Sequence, residues 1–258
     1  IQNYPSIIYT NAAIDPYSAA AAGSAGAWNL EVQQDLTAKV GDANYDIGHL
    51  FGASGGGGNA GCIGCVCVAP TTAVPKGKGS GYTSPGDAIP QGDNFDIDYV
   101  AHEMGHQLGG NHTFSHALET AGTNMEPGSG STIMGYAGIT SVDVQPHSDA
   151  IFHAVTIQQI TNNIKSKTCS VNTPTGNSIP TANAGSDFTI PKSTPFMLTG
   201  TSTDANGDAL TFIWEQMDNQ TTSTAPSATK TTGVNFRSWT PTTNPTRYFP
   251  RMQSVLAG

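Results

Sequence analysis

The chain has 258 residues, enough for two domains, and a formal net charge of −9 with only 11% of its residues charged. This acidic balance argues against nucleic acid as a partner, and no apolar run approaches the roughly 20 residues needed to span a bilayer. The four cysteines, an even number, fit an oxidising compartment. We therefore expect a secreted protein. We also expect a monomer, although these observations do not bear on the oligomeric state.

The N-terminal part of the chain predicts short strands around one helix. Asn29 caps a helix over residues 30–40, which Gly41 ends. The glycine run 55–58 predicts a flexible turn, and residues 70–90, rich in Gly, Ser and Pro, predict a surface loop. Three further runs predict strands: residues 6–10, 45–51 and 61–68.

The segment from His102 to His112 reads H-E-x-x-H-x-x-G-x-x-H. A helix turns about 100° per residue, so His102 and His106 share a face and can reach one metal ion at about 2.0–2.1 Å. Glu103 lies beside the metal, where it can hold a zinc-bound water. Because Gly109 can adopt a left-handed conformation and end the helix, the chain can bend and return His112 to the metal.

Three neutral imidazoles leave the fourth zinc position open, which is the arrangement of a catalytic site. The alternative, a purely structural zinc site, would be closed by a fourth ligand, and neither a Cys nor a fourth His lies at ligand spacing. The remaining histidines are expected to have structural roles: His49, His116, His147 and His153.

The residues on either side of the motif predict where this helix begins and how it packs. Asp96 or Asp98 can cap it and place negative charge at its positive end. Val100, Met104 and Leu108 follow at a spacing of four and predict a buried stripe beside the ligand face. A later helix is predicted with its apolar face formed by Ile151, Ala154, Ile157, Ile160 and Ile164.

Three segments together resemble the metzincin clan of zinc peptidases: the motif with its third histidine, residues 111–114 (Asn-His-Thr-Phe) and residues 131–136 (Ser-Thr-Ile-Met-Gly-Tyr). Residues 96–101, leading into the motif, are most similar to the bacterial, secreted reprolysin-like (adamalysin-type) enzymes. The resemblance covers residues 7–169, and its specific motifs lie between Gly55 and Tyr136.

The resemblance implies an α/β (α+β) catalytic domain, with a mixed twisted sheet and an active-site helix, and endopeptidase activity. It implies that His102, His106 and His112 bind zinc and that Glu103 is the general base. Met134 would be the Met-turn residue beneath the zinc.

Tyr136 departs from the pattern of snake-venom and animal reprolysins, which usually have Pro two residues after the Met-turn methionine. Astacins and serralysins have tyrosine there, and in those relatives it can ligate zinc or stabilise the oxyanion. Tyr136 is therefore a candidate transition-state stabiliser. The alternative is a tyrosine that forms one wall of the substrate cleft.

The resemblance favours a disulfide between Cys67 and Cys169, which would leave Cys62 and Cys65 to pair with each other or stay free. Cys62 and Cys65 lie on opposite faces of a regular strand, so their pairing requires a bulge or turn. The sequence alone allows three connectivities.

The resemblance also places the strand predicted over residues 61–68 at the edge of the sheet above the zinc. A peptide substrate would bind along this edge near Gly61–Val68 as an added strand. The alternative is a simple loop. The strand predicted over residues 6–10 resembles the second strand of the family, so we expect a chain that is processed or truncated at its N-terminus.

The composition shifts after Cys169, which divides the chain into a catalytic domain over residues 1–170, a linker over 171–180 and a module over 181–258. Alternating runs at 195–199 and 210–214 predict an antiparallel β-sandwich that resembles polycystic-kidney-disease-type or immunoglobulin-like modules and lacks its final strands. A candidate calcium site is formed by Asp204, Asn206 and Asp208, whose side-chain oxygens occur at alternate positions. A turn at Gly207 explains the same residues without metal.

These observations predict a secreted zinc endopeptidase that hydrolyses peptide bonds through a zinc-bound water with Glu103 as general base. One alternative is an adhesion or carbohydrate-binding protein with a vestigial zinc site, which the intact Glu103 argues against. Another is a different metzincin branch, astacin-like or serralysin-like. The chain has no glycine-rich nonapeptide repeats, which argues against the serralysin branch.

Overall fold

The computed structural model describes residues 4–222, 225–227 and 229–256. The chain divides into two compact units. The first contains the residues up to His112 together with Phe152–Ser170, and the second contains Thr113–Ile151 together with the residues from Val171 onward. The domain boundaries expected at residues 170 and 181 stay a prediction.

The described residues of the first unit form four α-helices and a three-stranded sheet. In chain order its regular elements are α1 (Ala20–Ala22), α2 (Trp28–Lys39), β1 (His49–Phe51), β2 (Gly57–Asn59), β3 (Gly81–Ser84), α3 (His102–Leu108) and α4 (Ala154–Lys165). A π-helical turn, Gly23–Ala27, joins α1 to α2, and a π-helical segment, Asn94–Ala101, leads directly into α3.

The sheet is mixed, with β3 in the centre, parallel to β1 and antiparallel to β2. This arrangement agrees with the mixed sheet expected from the sequence. Helix α2 packs on it through Trp28, whose ring lies 5.1 Å from that of Tyr82. A small apolar cluster of Val32, Leu36 and Val40 completes this contact.

The prediction of a surface loop over residues 70–90 is wrong at β3, whose four residues are all buried. Apart from Tyr82, the residues of β3 are small or polar, and neighbouring side chains satisfy polar groups around them. Asn29, for example, donates from Nδ2 to the carbonyl of Ser80 at 2.7 Å. Asn29 is therefore not the helix cap that the sequence suggested, since it lies inside α2 and bridges to the sheet.

The strand predicted over residues 6–10 is also wrong. Pro5 begins a 3₁₀ turn, Pro5–Ile7, in which Ile8 donates to the Pro5 carbonyl at 3.2 Å. Proline fixes φ and lacks an N–H, so it favours the start of such a turn over a paired strand. The strand predicted over 45–51 is shortened to β1, whereas the helix predicted over 30–40 is confirmed as α2, followed by Gly41 with φ 80°.

Residues 61–68 do not form the predicted edge strand. The segment forms bends and turns, in which Gly61, Gly64 and Cys67 have φ values of 71°, 72° and 68°. The edge position next to β3 is instead taken by β2, which begins inside the glycine run. The expected edge strand at Gly61–Val68 is therefore wrong, and β2, Gly57–Asn59, lies at this edge of the sheet.

The turns in this segment bring cysteines together. Cys62 and Cys65 form a disulfide with their α-carbons 5.6 Å apart, and Cys67 and Cys169 form a second with their α-carbons 5.7 Å apart. The second disulfide ties the chain that follows α4 to the turn region before β3.

The predicted apolar face of α4 does not match the buried one. The helix buries Val155 and Thr156, while Ile157 and Ile164 are 54% and 42% exposed. His153 caps this helix by accepting the N–H of Val155 at 3.2 Å, a structural role as expected.

The second unit contains β4 (Phe196–Thr199), β5 (Thr246–Phe249) and α5 (Met252–Leu256). The two strands pair antiparallel, and the rings of Phe196 and Phe249 stack at 4.8 Å. The run 195–199 corresponds to β4, while the run 210–214 contributes one bridge, between Phe212 and Thr242. A β-sandwich is not evident in the described part of the chain.

Asp204 and its neighbours form a turn. Asp204 accepts the N–H groups of Asn206 and Asp208 at 2.8 and 3.2 Å, and Gly207 has φ 78°. This hydrogen bonding is the turn alternative raised from the sequence, and calcium binding there stays a prediction.

Candidate metal centre

Helix α3 carries the first two histidines of the motif. It continues the segment Asn94–Ala101, so Asp96 and Asp98 lie inside a helical segment and neither is the N-cap. The buried face of α3 is formed by polar residues rather than by the expected apolar stripe, because Val100, Met104 and Leu108 are only half-buried. The buried members of α3 are His102, Glu103, Gly105, His106 and Gln107.

Gly109 ends α3 in the left-handed conformation, with φ 117°, as the sequence predicted. Its N–H donates to the carbonyls of Gly105 and His106 at 3.1 and 2.9 Å, and the N–H of Gly110 donates to Gly105 at 2.8 Å. The chain then turns back, so that His112 approaches the two histidines of the helix.

The imidazoles of His102, His106 and His112 converge. Their ring centroids are separated by 4.8, 5.2 and 4.5 Å, and one ring nitrogen from each residue lies within 4.8 Å of the others. His102 and His106 are buried, while His112 is partly accessible. The motif's three histidines thus form one cluster.

The hydrogen bonding of His106 prepares its ring for a metal. Nδ1 donates to the carbonyl of Gly110 at 2.7 Å, which leaves the lone pair of the neutral ring on Nε2. Burial, together with the charge of His112, lowers the pKa of His106 to about 4. The ring is therefore neutral at physiological pH, the form that binds metal.

The spacing of these nitrogens fits zinc. Nε2 of His106 and Nε2 of His112 are 3.0 Å apart. Two nitrogens bound tetrahedrally at about 2.0–2.1 Å would be roughly 3.3 Å apart. Three imidazoles with no fourth protein ligand among the described residues match a catalytic zinc site, so the residues present fit this ion.

A second cluster of metal-type side chains has a different explanation. Asp46, Cys67 and Cys169 also place ligand atoms within 4.8 Å of one another. Cys67 and Cys169 are joined in a disulfide and offer no thiolate. The three histidines are therefore the better metal site among the described residues.

Glu103 is buried between α3, which we call the metal helix, and the edge strand β2. A Cβ atom on Gly58 would come within 2.5 Å of its Oε1, so the backbone of β2 lies against the carboxylate. Burial raises the pKa of Glu103 to about 8, although a hydrogen bond from the backbone of Ala60 acts in the opposite direction. Glu103 therefore holds a proton more strongly than an exposed glutamate does.

Gln107 ties the metal helix to the sheet, a role that the sequence analysis missed. Its Oε1 accepts from Nδ1 of His49 at 2.7 Å, and its Nε2 donates to the carbonyl of Gly48 at 2.9 Å. His49 in turn contacts Oγ1 of Thr83 through Nε2 at 2.8 Å. This role is seen only in the structure, where a Cβ atom on Gly81 would come within 2.5 Å of the Gln107 amide.

The segment that follows His112 in the sequence belongs to the second unit. The N–H of Thr113 donates to the carbonyl of Met134 at 3.0 Å, and Met134 is fully buried in a turn. The ring of half-buried Tyr136 lies 4.7 Å from that of Phe114 and 6.3 Å from that of His116. The roles of Met134 and Tyr136 toward the metal stay predictions.

Glu126 organises this segment. Its fully buried carboxylate accepts from Oγ1 of Thr113 and of Thr132 at 2.6 and 2.5 Å. It also accepts the N–H groups of Ser131 and Thr132 at 2.9 and 3.2 Å. One carboxylate therefore links the residue after His112 to the turn that contains Met134.

Three histidines that can bind a metal lie next to a buried glutamate, on and just after a helix that packs beside a mixed sheet. These features define a zinc metallopeptidase. A model of the metallo-peptidase family M12B, reprolysin-like, matches residues 4–170, and the chain belongs to this family. No match to a curated protein or to a solved structure was found. In the described part of the chain, no helix is both long and apolar enough to cross a membrane.

Proposed function

We propose that this protein is a secreted zinc endopeptidase in which Glu103 is the general base for hydrolysis of a peptide bond. The observation that carries the proposal is the position of Glu103, one residue after a zinc ligand and directly against the edge strand β2. The family assignment and the two disulfides support it.

His102, His106 and His112 would hold the ion. A zinc ion bound there would polarise the scissile carbonyl and lower the pKa of water toward about 7. The hydrogen bond from His106 Nδ1 to Gly110 keeps Nε2 directed at the cluster.

Glu103 then removes a proton from the attacking water and passes it to the leaving amine. The burial that raises its pKa to about 8 makes it a stronger base than an exposed carboxylate. The positive charge of a bound ion would favour the ionised form of Glu103 before the reaction. Tyr136 would help to hold the developing oxyanion.

The substrate would bind as an extended strand along β2. This strand occupies one edge of the sheet, and its outer side pairs with no strand of the described residues. Glycines at 57 and 58 allow a peptide backbone to approach closely. Binding of this kind places the scissile bond next to Glu103.

The test is cleavage of an unfolded protein by the purified chain, with and without a zinc chelator, followed by metal analysis. We expect about one zinc per chain and cleavage that the chelator abolishes and added zinc restores. Cleavage that persists in the chelator and in Glu103→Gln would overturn the proposal.

A further inference from the structure

Helix α4 contacts the turn that carries the third histidine. Gln159 and Asn163 are one helical turn apart on α4 and therefore share a face. We infer that these two side chains are positioning residues that determine where His112 lies and hence how tightly the tri-histidine cluster binds zinc. The inference rests on the zinc site of the proposed function.

Asn163 binds the end of the metal helix. Its Nδ2 donates to the carbonyl of Leu108, the last residue of α3, at 2.8 Å and to the carbonyl of Gly64 at 3.2 Å. A Cβ atom on Gly109 would lie 2.9 Å from Cβ of Asn163, so this side chain packs directly on the residue that ends the helix.

Gln159 binds the residue next to the ligand. Its Oε1 accepts the N–H of Asn111 at 2.9 Å, immediately before His112 in the chain. The turn from Leu108 to Asn111 is thus held at both of its ends by amides from one face of α4.

The remaining hydrogen bonds of this turn are supplied by the neighbouring backbone. The last four carbonyls of a helix have no partner within the helix. In α3, each of these carbonyls accepts a hydrogen bond from a residue beyond the end of the helix or from another segment. The carbonyl of Gly105 accepts from the N–H groups of Gly109 and Gly110. The carbonyls of His106 and Gln107 accept from the N–H groups of Gly64 and Val66, respectively. The carbonyl of Leu108 accepts from Nδ2 of Asn163. Asn163 is the one side chain in this set.

Helix α4 is itself well fixed. His153 caps its start, and Cys169, just beyond its end, is bonded to Cys67. A rigid support matters because polar groups behind metal ligands typically change metal affinity by about 10- to 100-fold when they are removed. Gln159 and Asn163 supply this support to a ligand that lies outside the helix.

The sequence of α4 offers matched controls. Gln158 and Asn162 precede the two positioning residues, have the same side chains and are exposed. We would compare Gln159→Ala and Asn163→Ala, alone and together, with Gln158→Ala and Asn162→Ala. The measurements are zinc affinity, by competition with a chromophoric chelator, and the visible spectrum of the cobalt(II)-substituted protein.

We expect each positioning variant to weaken zinc binding about 10-fold, the double variant to approach about 100-fold, and the cobalt spectrum to change. The two control variants stay within about twofold of the parent protein, consistent with the small effect of most exposed substitutions. Equal zinc affinity and an unchanged spectrum in the double variant would overturn the inference.

Conservative variants separate positioning from packing. Gln159→Glu keeps an acceptor for Asn111 and is expected to retain zinc affinity. Asn163→Asp keeps the shape but cannot donate to Leu108, so we expect weaker binding even where the fold is intact. The same loss in Gln159→Glu and Gln159→Ala, with none in Asn163→Asp, would contradict the assignment.

The outcome is distinguishable from failure of the proposed function. A parent protein that binds zinc but cleaves no protein refutes the proposed endopeptidase and leaves the affinity comparison valid. A parent protein that binds neither zinc nor cobalt refutes both.

Discussion

The α-carbon of Gly58 faces the side chain of Glu103, and a methyl group on it would lie 2.5 Å from both Cγ and Oε1. The edge strand and the candidate general base are therefore in direct contact. Any side chain at position 58 competes with the carboxylate for the same space.

Gly58→Ala is expected to remove activity and leave the fold in place. The atoms in the way belong to the end of a flexible side chain, so the carboxylate swings aside rather than the strand. Misplacement of a reacting group by about 1 Å costs about 100-fold in rate. The measurement is kcat/KM beside zinc content, and we expect only the first to fall.

Gly86→Ala is the control for this change, since its Cβ would meet one atom, the hydroxyl of Tyr99, at an ordinary 3.7 Å. We expect it to keep full activity. Comparable activity in Gly58→Ala and Gly86→Ala would show that Glu103 has another position during catalysis.

Glu103→Gln is expected to bind zinc and to lose hydrolysis. The amide has nearly the same shape as the carboxyl group but cannot take a proton from water, and general-base catalysis contributes about 100- to 10,000-fold. Zinc stoichiometry and turnover of an unfolded protein are the two measurements. Retained turnover would place the base elsewhere.

Protonation of His49 is expected to make the metal-free protein less stable in acid. Burial lowers the pKa of His49 from 6.5 to about 4, despite the opposing hydrogen bond with Gln107. The unfolded chain therefore takes up this proton first. The stabilising contribution of neutral His49 is complete above pH 6.5 and is lost progressively as the pH falls toward 4.

The check is the free energy of unfolding in urea across this pH range. We expect a shallower decline in His49→Gln, whereas His147→Gln, a change at an exposed position, leaves the parent's profile unchanged. A profile in His49→Gln as steep as that of the parent would exclude His49 as a source of the decline.

Loss of the Cys67–Cys169 disulfide is expected to cost more stability than loss of Cys62–Cys65. The two bonds close loops of sequence separation 102 and 3. The chain-entropy model gives about 4.7 kcal/mol for the long loop and about 1.6 kcal/mol for the short one. Paired Cys→Ser variants, compared by urea unfolding, measure the difference, and equal losses would contradict the loop-length argument.

Glu126→Gln is expected to destabilise the second unit by about 1–3 kcal/mol. The substitution turns one acceptor oxygen into a donor that faces N–H or hydroxyl groups of Ser131, Thr132 or Thr113. Exposed Asp187→Asn is the control. The measurement is the free energy of unfolding of the second unit. Equal values for the two variants would rule out a structural role for the Glu126 carboxylate.

The sequence predicts that the three histidines converge and that the metal helix ends at Gly109, but not how the helix begins or which face it buries. His102 and His106 must share a helical face, and Gly109 must end the helix for His112 to return. Helix α2 is likewise predicted, since a good helical run is followed by Gly41.

The sheet is harder to predict because its signals are not hydrophobic. Apart from Tyr82, strand β3 consists of small and polar residues, so no alternation of apolar side chains identifies it. Residues 61–68 have a strand-like composition, but the positive φ values of Gly61, Gly64 and Cys67 depend on tertiary contacts and two disulfides. The apolar pattern of α4 fails because Ile157 and Ile164 are exposed, while the amides of Gln159 and Asn163 bind the turn that follows the metal helix and the end of that helix.

The close approach of Gly81 to the Gln107 amide gives the central strand an unusual mutational profile. In a substitution scan scored by activity, adding a single methyl group at Gly81 is expected to lower activity, because a Cβ atom there would displace the buried Gln107 amide from its bonds to His49 and Gly48. Half-buried Met104 and Leu108, on the helix itself, are expected to accept many replacements. In this enzyme, substitution would therefore be restricted at a glycine that makes room for a neighbouring side chain, as well as at positions whose own side chains act in the site.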